Sequence, residues 1–218
     1  MYGGTFDPVH VGHLEVARSV AQLFEIEKVI FIPAQMAPHK IGRPVTQPLH
    51  RYAMLALATQ NDPQLSISTF ELDDSDRRYT VDTVEHFQRT LGNETELFFI
   101  MGADSWSEIT TWREWGRLLT MTNHIVVTRP GYEPVTAHVG EHTDRIIDLR
   151  KSAALSSGGF TRIYITDIVM KDVSATQIRR VAREGLTDEL VNLVPGAVLE
   201  YIKKYGIYRE LNEAKLNS

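Results

Sequence analysis

Residues 3–13 read GGTFDPVHVGH, with two glycines and a threonine ahead of two histidines three residues apart. Glycine lets backbone N–H groups approach an anion closely, and the first turn of a helix presents unpaired N–H donors with a partial positive charge. If a helix begins near His10, the imidazoles of His10 and His13 lie on one face of its first turn. The stretch therefore predicts a phosphate-binding turn beneath both imidazoles, formed by Gly3, Gly4 and Thr5.

A metal site is the alternative for the two histidines. Zinc-binding helices usually space their histidines four residues apart and add a third ligand, whereas these two are three apart. Gly12, which lies between them, favours close backbone approach over metal ligation. We therefore favour phosphate binding, and we expect Asp7 to stabilise the turn instead of binding a metal.

Short apolar runs mark further strands of the fold. Residues 28–33, 96–101 and 124–128 are typical of buried parallel strands. Polar motifs follow the last two runs, at residues 102–105 (GADS, interpreted as a turn) and 129–131 (RPG). Because ligands of open α/β sheets bind outside the carboxyl ends of parallel strands, we expect an α/β fold: a Rossmann-like, doubly wound parallel sheet with a small C-terminal helical region.

Helical spacing of apolar residues separates these runs. It predicts helices over residues 48–59 and 80–91, the first with Leu49 and Leu55 on its apolar side. Alternation over residues 65–69 predicts a strand between the two helices.

The chain is expected to fold as a single domain over residues 1–218. Ser174 is a suitable N-cap for a helix reaching about residue 184, and Pro195 suits the first turn of a last helix ending near Tyr205. The expected parts are a Rossmann-like core over 1–170 with a loop-rich insertion over 131–160, a C-terminal helical subdomain over 171–209 and a tail over 210–218.

Composition excludes several classes of function. With 23 Lys and Arg against 28 Asp and Glu, the formal charge of −5 provides no basic field for nucleic acid. The absence of cysteine rules out disulfides, cysteine-based metal sites and thiol catalysis. No apolar run approaches the roughly 20 residues that span a bilayer, and no leader precedes the glycines. We expect a cytoplasmic protein with no nucleic-acid or membrane partner; a homo-oligomer stays possible.

The first strand is the unusual feature of this pattern. A phosphate-binding turn follows a strand, yet only Met1 and Tyr2 precede Gly3. The central strand is therefore either a stub or truncated by a mis-assigned start, and we favour the second. Adding an upstream strand should then raise the midpoint of thermal unfolding.

Two motifs together resemble a known superfamily. Residues 3–13 and residues 173–180 (VSATQIRR) resemble the two signatures of the nucleotidyltransferases, in the same order. Five further motifs resemble those of the bacterial nicotinate-nucleotide adenylyltransferases: 38–40 (PHK), 78–83 (RYTVDT), 102–105 (GADS), Trp112 and 127–131 (VTRPG). The resemblance covers essentially the whole chain and departs at Ala175, where the family commonly has serine, so one possible phosphate hydroxyl is lost.

The resemblance implies transfer of AMP from ATP to nicotinate mononucleotide, giving deamido-NAD and pyrophosphate. It implies Mg²⁺ held mainly by the ATP phosphates, with no protein metal site. The catalytic residues it implies are His10, His13, Lys40 and Arg179. The ATP-binding residues would be these four with Gly3, Gly4, Thr5, Gly102, Asp104, Ser174 and Thr176. The acceptor-binding residues would be Thr80, Asp82, Thr83, Trp112 and Arg129.

Three other functions stay open at this point. A relative that prefers nicotinamide mononucleotide would share every motif above, and a phosphopantetheine adenylyltransferase is more distant. A non-catalytic nucleotide-binding regulator would bind ATP without releasing pyrophosphate. Since both histidines, Lys40 and Arg179 are present, we favour the enzyme over the regulator.

Overall fold

The computed structural model describes residues 1–35, 45–73, 79–92, 94–129, 131–151, 160–168 and 173–209. Lys40, one of the predicted catalytic residues, lies outside these ranges. So do Pro38, His39, Arg78 and Pro130 of the resembling motifs, residues 152–159 of the expected insertion and the expected tail.

Within these ranges, seven parallel strands form one sheet in the order β3-β2-β1-β4-β5-β7-β6. They are β1 (Tyr2–Gly4), β2 (Val29–Pro33), β3 (Leu65–Ile67), β4 (Phe98–Gly102), β5 (Asn123–Val127), β6 (Ile146–Asp148) and β7 (Ile163–Thr166). The chain proceeds outward from β1 to β3 and then returns to β4 on the other side of β1. This reversal confirms the predicted doubly wound sheet and opens a crevice at the carboxyl ends of β1 and β4.

Helices cover both faces of the sheet. They are α1 (Val11–Leu23), α2 (Pro48–Thr59), α3 (Thr80–Leu91), α4 (Ala103–Ser107), α5 (Trp115–Met121), α6 (Ala175–Arg183), α7 (Thr187–Leu190) and α8 (Gly196–Tyr205), with 3-10 turns at Ile109–Thr111 and Ala137–Arg145. The bounds predicted for α2 and α3 are confirmed. The GADS motif is not the expected turn, because the chain enters α4 directly after β4.

The first strand is present and short. Its three residues pair with β2, whereas only Tyr2 pairs with β4, opposite Ile100. Met1 extends that contact. Its amino group donates to the Phe98 carbonyl at 2.7 Å, and its carbonyl accepts from the Ile100 N–H at 2.8 Å. A three-residue strand therefore joins the two halves of the sheet and carries the glycine motif.

Each face of the sheet has its own apolar core. Successive β5 residues alternate between them: Ile125 packs in the cluster formed with α1, α2, α6 and α8, and Val126 in the cluster formed with α3, α4 and α5. Burial on both faces explains why the strands read as continuous apolar runs. The C-terminal helices α6 and α8 share one core with α1 and α2, whereas the division into a core and a helical subdomain stays a prediction.

Within the expected insertion, Ile146–Asp148 forms β6, a strand at the edge of the sheet that pairs with β7. No helix in the described part of the chain is both long and apolar enough to cross a membrane.

Candidate active site

A cavity of about 370 Å³ opens at the carboxyl ends of β4 and β5, beside the starts of α1 and α6. The cavity adjoins the crevice between β1 and β4, where the strand order reverses. The predicted site residues among those that line it are His10, His13, Gly102, Asp104, Arg129, Ser174, Thr176 and Arg179. The two motifs that lie about 170 residues apart in the sequence therefore meet at one cavity, as expected of a doubly wound sheet.

The two histidines form a stacked pair at the start of α1. Their ring centroids are 3.6 Å apart and their planes differ by 25°. The Nδ1 atom of His13 accepts a hydrogen bond of 3.2 Å from the backbone N–H of His10, so in the neutral ring the proton is on Nε2. The ring of Phe6 contacts His13 edge-on, with centroids 5.0 Å apart, and fixes the ring from the other side.

His10 is a buried imidazole at the cavity wall. Burial first, and the charge of Arg129 second, lower the pKa of His10 to about 4. Its Nδ1 atom is buried and has no hydrogen-bond partner among the described residues. A Cβ atom at Gly12 would lie 3.1 Å from that nitrogen, so the missing side chain of Gly12 gives the ring its space. The geometry therefore presents a neutral imidazole, which acts as a hydrogen-bond donor and not as a cation at pH 7.

The glycines of the motif are required for a reason that the sequence did not reveal. Gly3 and Gly4 lie in β1, where an added Cβ atom would come within 2.8 Å of the Phe99 ring and 2.9 Å of the Phe6 ring, respectively. Phe6, and not a glycine, adopts the left-handed conformation in the turn, with φ of 51°. Neither glycine nor Thr5 lines the cavity, so their contact with phosphate stays a prediction.

Arg51 on α2 is a buried structural residue that the sequence interpretation missed. Its side chain is completely buried. Its three guanidinium nitrogens donate to the carbonyls of Thr5 at 2.7 Å, Thr46 at 2.9 Å and Gln35 at 3.0 Å. The interpretation placed Leu49 on the apolar side of this helix, yet Leu49 is 76% exposed. Because Arg51 is four residues before the buried Leu55, helical spacing already placed it on the buried face.

Arg179 reaches the cavity from α6. Its Nη1 atom donates to the carbonyl of Asp7 at 2.7 Å, and its Nη2 atom donates to the Thr176 hydroxyl at 3.1 Å. Ser174 caps the helix as predicted, accepting a hydrogen bond from the Gln177 N–H at 3.2 Å. Ala175, where the family commonly has serine, lines the cavity between Ser174 and Thr176.

Asp7 stabilises the turn, as expected. One carboxylate oxygen accepts from the Tyr208 hydroxyl at 2.7 Å, and the other accepts from the Thr46 N–H at 3.3 Å. The described residues contain no group of three or more acidic or histidine side chains that could hold a metal ion.

Asp104 and Arg129 extend the cavity beyond the turn that precedes α1. Asp104 is exposed in α4 just past β4 and lines the cavity. Arg129 follows β5 and is near enough to His10 to lower its pKa. Two strand ends therefore contribute one anionic and one cationic group.

The other predicted acceptor residues do not line this cavity. At the start of α3, Asp82 accepts from the Tyr79 N–H at 3.1 Å, and the Thr83 hydroxyl donates to Glu71 at 2.7 Å. Trp112 is half-buried with its ring 6.3 Å edge-on from that of Phe99. The Arg113 guanidinium lies 4.8 Å from the Tyr79 ring centroid, so the start of α3, including Thr80, adjoins the Trp112 segment. Their role in acceptor binding stays a prediction.

The chain is similar to known proteins over most of its length. The model of the cytidylyltransferase-like family matches residues 1–181. Proteins named "Probable nicotinate-nucleotide adenylyltransferase" are similar throughout. The one from Thermoanaerobacter sp. (strain X514) is 39% identical, covering 97% of this chain and 94% of its own. The one from Moorella thermoacetica is 38% identical, and the similarity covers 95% of this chain and 89% of that relative.

A solved structure shows the same fold. The Plasmodium falciparum nicotinic acid mononucleotide adenylyltransferase complexed with NaAD superposes with a TM-score of 0.71 over 95% of each chain, at 19% identity. With the full-length similarity above, these findings show that the chain belongs to the cytidylyltransferase-like family and, within it, to the nicotinate-nucleotide adenylyltransferases.

Proposed function

We propose that this protein transfers the adenylyl group of ATP to nicotinate mononucleotide, forming deamido-NAD and releasing pyrophosphate. The observation that carries the proposal is the convergence of the stacked histidines and Arg179 on one cavity at the sheet's switch point. The similarity of the whole chain to proteins named nicotinate-nucleotide adenylyltransferases supports the choice of nicotinate mononucleotide as the acceptor.

The reaction needs positioning more than proton transfer. The acceptor's 5′-phosphate, with a second pKa of about 6, is largely ionised at neutral pH and attacks the α-phosphorus directly. A new P–O bond forms while the bond from the α-phosphorus to the bridging oxygen breaks, and that electron pair leaves with pyrophosphate. No general base is required, so catalysis consists of alignment and charge stabilisation.

The chain's own residues divide this task. His10 and His13 donate hydrogen bonds to the α-phosphate, where negative charge builds up. Arg179 neutralises the leaving pyrophosphate, together with Lys40, which lies outside the described residues. Asp104 accepts from ribose hydroxyls at the end of β4, and Arg129 holds the acceptor phosphate.

The acceptor's pyridine ring is assigned to the Trp112 segment. In this proposal the indole stacks on the ring, and the N–H groups at the start of α3 favour a carboxylate over a neutral amide. Mg²⁺, held mainly by the ATP phosphates, would supply further charge neutralisation there; Mg²⁺ typically keeps several waters and needs few protein ligands.

The test is a set of parallel reactions of the purified protein with ATP and Mg²⁺. Nicotinate mononucleotide, nicotinamide mononucleotide and phosphopantetheine are added separately, and pyrophosphate and the adenylylated product are measured. We expect fastest turnover with nicotinate mononucleotide. Faster turnover with either other acceptor would replace the proposed substrate, and ATP binding without pyrophosphate release would indicate the non-catalytic regulator.

A further inference from the structure

Tyr208, which follows α8, makes a hydrogen bond across nearly the whole length of the chain. Its hydroxyl donates to Oδ1 of Asp7 at 2.7 Å, 201 residues away in sequence. Its backbone is left-handed, with φ of 72°. For a residue other than glycine this conformation is strained. Local strain is therefore tolerated at the residue that places this hydroxyl against the turn.

Asp7 is a junction between three segments of the chain. Its carboxylate accepts from Tyr208 on one oxygen and from the Thr46 N–H on the other, at 2.7 and 3.3 Å. Its own carbonyl accepts from Nη1 of Arg179 at 2.7 Å. The carboxylate is therefore held at both oxygens in a residue that is only 4% exposed, next to the carbonyl that Arg179 contacts.

Electrostatic interactions keep the Tyr208 hydroxyl protonated at this junction. Burial, followed by the charge of Asp7, raises the pKa of Tyr208, so the hydroxyl keeps its proton at physiological pH. The charge of Asp7 also acts on the buried guanidinium of Arg51, which donates to the neighbouring Thr5 and Thr46 carbonyls. The phenol is therefore a permanent donor to a carboxylate whose charge is balanced nearby.

We propose that Tyr208 is a positioning residue for the adenylyl transfer: its hydroxyl fixes Asp7, and the Asp7 carbonyl holds the Arg179 guanidinium at the cavity. Two of the five guanidinium N–H groups make the bonds to Asp7 and Thr176, and these set the direction of the others. Without the phenol hydroxyl, Arg179 is still present but less well aligned on the triphosphate. This inference rests on the proposed function only for its catalytic readout.

The test compares Tyr208→Phe with Tyr201→Phe. Tyr201 is a matched control, because its hydroxyl makes a side-chain hydrogen bond of 2.8 Å with His50, in the same C-terminal region but away from the junction. Both variants lose one phenol hydroxyl. We expect Tyr208→Phe to lower kcat/KM for ATP about tenfold and Tyr201→Phe to stay within about twofold of the original protein. Equal kcat/KM in the two variants would overturn the proposal.

A double-mutant cycle distinguishes a loss of Arg179 alignment from a general destabilisation of the fold. In an Arg179→Lys background, Tyr208→Phe should lower kcat/KM by less than about twofold further, because the aligned group is already gone. A full tenfold loss in that background would show that Tyr208 does not act through Arg179. Midpoints of thermal unfolding are measured for every variant, and a tenfold loss explained by unfolding at the assay temperature also counts against the proposal.

ATP affinity, measured by calorimetry without any acceptor, distinguishes the two proposals. If the original protein releases no pyrophosphate, the proposed function fails, and Tyr208→Phe is then judged on ATP affinity alone. Weaker ATP binding for Tyr208→Phe than for Tyr201→Phe would support the positioning role, and equal affinity would overturn it.

Discussion

At the scale of the residue, His10 combines burial with a missing hydrogen-bond partner. The cavity supplies no acceptor for its buried Nδ1 among the described residues, while burial and Arg129 keep the ring neutral. In the proposed mechanism, a neutral donor at this position is expected to stabilise the charge that develops in the transition state more than it binds the ground state.

His10→Ala should therefore lower kcat by about 100-fold or more while the Kd for ATP changes by less than about fivefold. His13→Ala should behave in the same way, because the rings stack and share one face of α1. Single-turnover kinetics and calorimetry measure the two quantities. Equal losses in kcat and in ATP affinity would assign these rings to binding and not to catalysis.

His124 gives a separate prediction about stability. It is completely buried in β5, and burial lowers its pKa from the ordinary 6.5 to about 4, against a smaller opposing effect of the Thr122 backbone. As pH falls below 6.5, the His124 ring binds a proton in the unfolded chain, whereas in the folded chain it stays neutral until about pH 4. The contribution of the neutral His124 ring to the free energy of unfolding is therefore fully present above pH 6.5 and is lost between pH 6.5 and about 4.

Replacing this ring should flatten that pH dependence. We expect His124→Leu to remove roughly 3 kcal/mol of the loss in unfolding free energy between pH 7 and pH 4. Urea denaturation at a series of pH values measures the effect. His10→Ala, measured in parallel, accounts for the other buried imidazole whose pKa is lowered, and an unchanged slope in His124→Leu would contradict the assignment.

At the scale of the element, α2 is anchored to the turn by a buried cation. Arg51 holds the carbonyls of Thr5, Gln35 and Thr46 with one planar group. A lysine keeps the charge but places it on a single nitrogen, which cannot satisfy three carbonyls in these directions.

Arg51→Lys should lower the free energy of unfolding by about 3 kcal/mol, since hydrogen bonds from a charged donor are lost in a buried site. Arg180→Lys is the matched control: Arg180 is exposed on α6 and pairs with Glu184 at 3.3 Å, so a change below about 0.5 kcal/mol is expected. Urea unfolding of both variants at pH 7 measures the two changes in the free energy of unfolding. Similar losses in the two would show that burial of Arg51 contributes little.

The elements that the sequence predicted best are those with a local signal. Helix α3 has strong helical periodicity and ends at Gly92, whose φ is 77°, and its bounds were predicted correctly. The predicted strand over 65–69 ends at Ile67, because pairing with β2 stops at Phe31. A strand's length depends on its neighbours, which its own residues do not specify.

At the scale of the whole molecule, the strand order creates the site. Strands β4 and β5 pair over all five residues of each, and their carboxyl ends bring Asp104 and Arg129 to the cavity. The motif at 3–13 and the helix α6 approach from the other side of the switch point. Residues from the two ends of the sequence then meet, as the contact between Asp7 and Arg179 shows.

The sequence by itself determined the alternation of strands and helices, the histidine motif at the start of α1 and the capped helix at Ser174, because turn chemistry and apolar periodicity are local properties. Only the tertiary structure decided that Arg51 is buried and Leu49 exposed, that Gly3 and Gly4 make room for aromatic rings, and that Tyr208 reaches Asp7. These depend on which segments pack together, and such long-range contacts are set by the burial of the whole core and not by any single stretch of the chain.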